Sequence, residues 1–88
     1  MDNAMTSQSY AVNMMDTCSY CEIAMDGITQ SIERGDYDGA FVRLSSYLLE
    51  MHARWMDGRI KADLWHETLR FYRRMVLSIC TELQGVAD

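Results

Sequence analysis

The sequence predicts an all-α fold, a small antiparallel bundle of three helices, and three observations carry that reading. Three stretches each alternate three- and four-residue steps between apolar positions: Ala11, Met14, Cys18, Cys21, Met25, Ile28, Ile32; Phe41, Leu44, Leu48, Met51, Trp55; and Trp65, Leu69, Tyr72, Val76, Ile79, Leu83. A step that averages about 3.5 residues keeps every such side chain on one stripe of an α-helix. Glycine and aspartate cluster between the stretches, and no proline interrupts them. The breaks are short, which makes consecutive helices antiparallel neighbours.

The first helix is expected over about 7–34, behind a flexible tail at 1–6, with Thr6 or Ser7 as its cap and Gly35 as the residue that ends it in a left-handed conformation. Gly27 interrupts its interior and suggests a close helix crossing. The second helix follows the turn Gly35-Asp36-Tyr37-Asp38-Gly39, runs over about 37–56 with Asp36 or Asp38 as cap, and stops at Asp57-Gly58. Asp63 is the expected cap of the third helix, which runs over about 63–84 and closes at Gly85.

At 88 residues there is room for a single helical domain, 1–88, and a chain this short leaves much of its surface exposed after folding. An apolar fraction of 49% is more than such a core can hide, which points toward self-association. The third helix is apolar beyond its main series, through Leu64, Phe71, Met75 and Cys80, and the second adds Val42, Leu49 and Met56. A helix apolar on most sides is central to a bundle or shared between subunits, and a homodimer, or a groove for a partner helix, is the expectation. The eight methionines suit a surface that accommodates imperfectly matched partners.

The net charge of −5 opposes nucleic acid as a main partner, because phosphate binding requires a basic surface. Residues 1–33 hold five acids and no lysine or arginine, so the first helix is an acidic rod. No run approaches the roughly 18 apolar residues of a membrane span, and the N-terminus lacks the pattern of a signal peptide, so a cytoplasmic location without membrane attachment is expected.

No catalytic, cofactor or metal set stands out. Cys18, Cys21, His52 and His66 lack the paired spacing of a zinc site, and neither histidine has a glutamate three residues before it as a di-iron bundle needs. There is no G-x-S-x-G elbow and no glycine-rich phosphate loop. Cys18-Ser19-Tyr20-Cys21 resembles the C-x-Y-C of the alkylhydroperoxidase D-like carboxymuconolactone decarboxylase family, but that family places a histidine shortly after the second cysteine, where this chain has Met25 and Asp26. Thiol redox chemistry at Cys18 and Cys21 is therefore the lesser alternative.

The stretch from Glu22 to Glu82 resembles the helical export chaperones of the flagellar type III system, the flagellin chaperone (FliS-like) family above all. The likeness lies in the segment Ala24 to Ala40, with its Ser-Ile-Glu-Arg-Gly-Asp-Tyr core, and in the aromatic and arginine pairs of Leu69-Arg70-Phe71-Tyr72-Arg73-Arg74-Met75. It implies a helical bundle that holds an unfolded or helical export substrate. The chain is thus expected to be no enzyme but a chaperone or adaptor, binding a partner helix through an apolar surface on its second and third helices. Trp55, Met56, Leu64, Trp65, Phe71, Arg70, Arg74 and Met75 are the expected contacts, since aromatic and arginine side chains anchor interfaces. A phage-type inhibitor that masks a host defence or regulatory complex is the alternative within the same class.

Overall fold

The computed structural model describes residues 7–87, with side chains from 16 to 85, as three helices: α1 (Ser7–Glu33), α2 (Tyr37–Met56) and α3 (Ala62–Ala87). The tail 1–6 and a cap at Thr6 lie outside the described residues, as do the side chains of Ala11 and Met14.

Both turns use one device. Gly35 takes φ +78°, Asp36 N–H donates to the Ser31 carbonyl at 2.8 Å, and Gly35 N–H donates to the Ile32 carbonyl at 3.0 Å. At the end of α2, Gly58 takes φ +75°, Arg59 N–H donates to the Arg54 carbonyl at 2.8 Å, and Gly58 N–H donates to the Trp55 carbonyl at 3.0 Å. This pairing satisfies carbonyls that a helix end leaves open, and its left-handed residue favours glycine. Asp36 then caps α2 as expected, its Oδ1 accepting from Gly39 N–H at 3.0 Å.

Two expected ends move. Lys61, not Asp63, is the residue whose carbonyl opens α3, accepting from Leu64 and Trp65, and Asp63 lies in the first turn, where a negative charge favours the helix dipole. Gly85 does not stop α3, which continues to Ala87. Its position has open space around it, and a lone glycine lowers helix propensity by only about 1 kcal/mol.

Cross-helix contacts run in opposite order along α1 and α2, with Thr17 against Arg54, Cys21 against Met51 and Gly27 against Arg43. The two helices are therefore antiparallel. α2 lies between α1 and α3 and packs closely on both, whereas α1 and α3 approach each other much less. The three are staggered into a bundle measuring 60 × 18 × 15 Å.

That central position rotates α2 away from its expected seam. Ala40, Leu44, Tyr47, Met51 and Arg54 are buried, while Leu48 and Trp55 are half-buried. The step is still three and four, but the stripe is centred on Tyr47 and Arg54, because a helix flanked by two neighbours buries the arc that faces both. Among the described side chains, the buried residues of α3 are Trp65, Thr68, Phe71 and Ile79, and those of α1 are Thr17, Cys21, Ile28 and Ser31. Cys18, expected on the seam, is exposed. Gly27 does not mark a close backbone crossing, since a Cβ there would meet the Arg43 side chain at an ordinary 3.8 Å.

Candidate functional site

The gap between α1 and α3 forms an open groove of about 290 Å³ floored by Tyr47. Cys18, Cys21 and Met25 line the α1 wall, Leu64, Thr68 and Phe71 line the α3 wall, and Glu22, Glu67 and Arg74 stand among them. Helical spacing explains the walls. Cys18, Cys21 and Met25 follow at steps of three and four, and Leu64, Thr68, Phe71 and Arg74 at steps of four, three and three, so each set occupies one side of its helix.

The floor is ordered by aromatic packing and a few polar groups. Tyr47 meets Phe71 edge-on at 5.8 Å and Tyr20 at 5.8 Å with a tilt of 33°. Its hydroxyl lies within reach of the Cys21 thiol and the Thr68 hydroxyl, so one side chain of α2 touches both flanking helices. Burial pushes the Tyr47 phenol well above the ordinary tyrosine range, and the Cys21 contact adds to it. Burial likewise raises the Cys21 thiol, away from the thiolate that redox chemistry uses. Thr68 Oγ1 donates to the Leu64 carbonyl at 2.9 Å, which satisfies its hydroxyl inside the helix.

The expected contact residues divide between faces. Leu64, Phe71 and Arg74 line the groove, and Arg74 lies over the Phe71 ring at 5.9 Å. Phe71 itself is only 8% exposed, because its ring is seated on Tyr47. Arg70 projects outward and pairs with Glu67 at 3.0 Å. Met75 is half-buried against the core. Trp65 is buried and stacks on the half-buried Trp55, centroids 5.2 Å apart and planes within 9°, with His52 edge-on to both. Met56 is exposed on the far side of α2. Leu64, Phe71, Met75 and Met56 therefore do not make one continuous strip.

Sequence reasoning missed Arg54, which is 8% exposed and joins α1 to α2. Its Nε donates to Glu50 at 2.8 Å, its Nη1 donates to Thr17 Oγ1 at 2.8 Å and reaches Asp16 at 3.4 Å, and its guanidinium lies 4.8 Å from the Tyr20 ring centroid. Burial works against its charge, but Glu50 and Asp16 more than offset this and hold the group protonated. A signal was present: Arg54 continues the series Leu44, Tyr47, Met51 at the same helical step.

Among the described residues no three histidine, cysteine, aspartate or glutamate side chains gather as a metal set, and no helix is long and apolar enough to cross a membrane. Compared with known proteins, the chain matches no family model, no curated protein and no solved structure.

Proposed function

We propose that this chain is a protein interaction module that receives an amphipathic helix of another protein in the groove between α1 and α3. The observation that carries the reading is the gap itself: both flanking helices pack on α2 and leave an apolar trough between them. Apolar troughs bounded by helices take the i, i+3, i+4, i+7 face of a partner helix. At about 290 Å³ the trough sits at the lower edge of the roughly 300–1,000 Å³ range of small-molecule pockets, and its open form suits inserted anchor side chains better than an enclosed ligand. Glu22 has no ion-pair partner among the described residues, and the α1 rim holds no basic residue, so the matching helix carries lysine or arginine beside its apolar anchors.

An export chaperone, as the flagellin-chaperone resemblance implies, and an inhibitor that masks a host protein would both use such a trough. They differ in what fills it: a secreted segment or a helix of a working complex.

The test is co-purification from the source cell with wild type, Met25→Asp and Leu64→Asp, with helical content checked by circular dichroism. A bound protein that both variants lose by tenfold or more, and whose basic amphipathic segment binds as an isolated peptide, supports the reading. Retention by both folded variants would reject the groove.

A further inference from the structure

The face of α2 opposite the core carries Val42, Ser46, Leu49, Ala53 and Met56, again at steps of four and three. Leu49 is 69% exposed, with Val42 and Met56 nearly the same. Large and small side chains alternate about Leu49, with Val42 and Met56 each seven residues away, Ser46 three before it and Ala53 four after.

We infer that a second copy of this chain docks on that face, its α2 antiparallel to the first about a twofold axis at Leu49. Three independent features select a second copy over another occupant. The first is the near-symmetry of the stripe: an antiparallel twofold sets Val42 beside Met56 of the partner subunit, Ser45 beside Ala53 of the partner subunit and Ser46 beside the larger His52 of the partner subunit, while Leu49 meets its own image.

The second is a hollow where Met56 of the partner subunit arrives. Ile23, Ala24 and Gly27 of α1, with Val42, Arg43 and Ser46 of α2, surround a shallow space of about 330 Å³, and Ile23 is 73% exposed. Because 3.6 residues per turn do not divide seven evenly, the stripe begins nearer α1 at Val42 and drifts away from it toward Met56. Two copies following this drift cross at an angle, and the C-terminal end of each α2 leans over the other's α1. The flexible thioether of Met56 then enters the hollow that Gly27 leaves open.

The third is charge. Arg43 and Asp57 lie on the α1 flank of the stripe, six residues before Leu49 and eight after it. At about 1.5 Å per residue, the twofold brings Arg43 to within about 3 Å along the axis of Asp57 of the partner subunit. Arg43 has no ion pair among the described residues, and Asp57 has only an exposed contact to Arg59 at 3.5 Å. The stripe is about 21 Å long, below the usual size of a permanent interface, so the dimer exchanges with monomer on dilution. The groove between α1 and α3 faces away from it, and a dimer would carry two grooves open.

Light scattering at millimolar protein, with dilution, tests this on wild type, Leu49→Asp, Gly27→Leu and the pair Arg43→Glu and Asp57→Arg. The expected results are twice the chain mass for wild type and the chain mass for Leu49→Asp at unchanged helicity. Gly27→Leu, which fills the hollow, weakens dimerisation at least tenfold. Arg43→Glu and Asp57→Arg each weaken it, and their combination restores it, an outcome that a fault in folding does not produce. A wild-type monomer at millimolar concentration would overturn the inference, as would a dimer that Leu49→Asp leaves intact and the groove variant Leu64→Asp breaks. If Leu49→Asp loses helicity, the charge exchange decides alone. Leu49, Gly27, Arg43 and Asp57 all lie outside the α1–α3 groove, so failure of their variants leaves the helix-binding reading to its own test.

Discussion

At the scale of single residues, the least apolar member of the α2 stripe has the most to lose. Arg54 is buried, and removing its side chain leaves the Thr17 hydroxyl, 1% exposed, without its donor. Arg54→Ala is expected to lower stability by about 2–3 kcal/mol in urea denaturation, and Arg54→Lys recovers less than half, because an ammonium cannot reach Glu50 and Thr17 together as the planar fork does. The exposed Asp16 adds little to this, since an open carboxylate is screened by solvent. Tyr47 and Cys21 set the alkaline limit. Burial raises both in the folded state, so above about pH 9 the unfolded chain releases protons that the folded chain retains. Stability is then full below the unfolded pKa values and falls as pH rises toward the folded ones. Denaturation midpoints between pH 8 and 11 are expected to fall steadily, and less steeply in Tyr47→Phe.

At the scale of elements, both turns rest on a left-handed glycine, and α2 also rests on Asp36. Asp36→Ala removes the acceptor for Gly39 N–H and is expected to cost about 1 kcal/mol. Gly27 behaves in the opposite way. A Cβ there meets only the Arg43 side chain at 3.8 Å, so Gly27→Ala is expected to stabilise the monomer by up to about 1 kcal/mol through helix propensity. Thermal midpoints at dilute protein, where the monomer dominates, read both signs. These elements were legible from the sequence because glycine turns and carboxylate caps act over three or four residues. Asp63 was misplaced because Lys61 opens α3 through its backbone carbonyl, which side-chain identity does not announce.

At the scale of the whole molecule, α2 is covered from two sides and the other helices from one. α3 continues past the reach of α2, which leaves Leu83 at 45% exposure although it belongs to the predicted stripe. Amide hydrogen exchange is expected to be slowest in α2 around Leu44 to Met51 and fastest, among the described residues, in α3 beyond Cys80, since protection follows burial on both sides. Uniform protection along α3 would contradict that arrangement. The candidate groove belongs to this scale too: its wall residues Met25, Leu64 and Phe71 were visible as apolar positions, but nothing local said that α1 and α3 would stand apart. Tyr47, its floor, lay one position off the expected seam.

The number of helices, their order and the form of both turns were determined by the sequence itself, because periodicity, glycine conformation and capping are settled between near neighbours in the chain. Only the tertiary structure decided how far each helix is rotated, and with it the burial of Tyr47 and Arg54, the exposure of Leu49 and the gap above Tyr47. The physical reason is that an apolar stripe several residues wide can be turned by tens of degrees at little cost in exposed area. The choice is made by the shapes and charges of the side chains on the helices it meets.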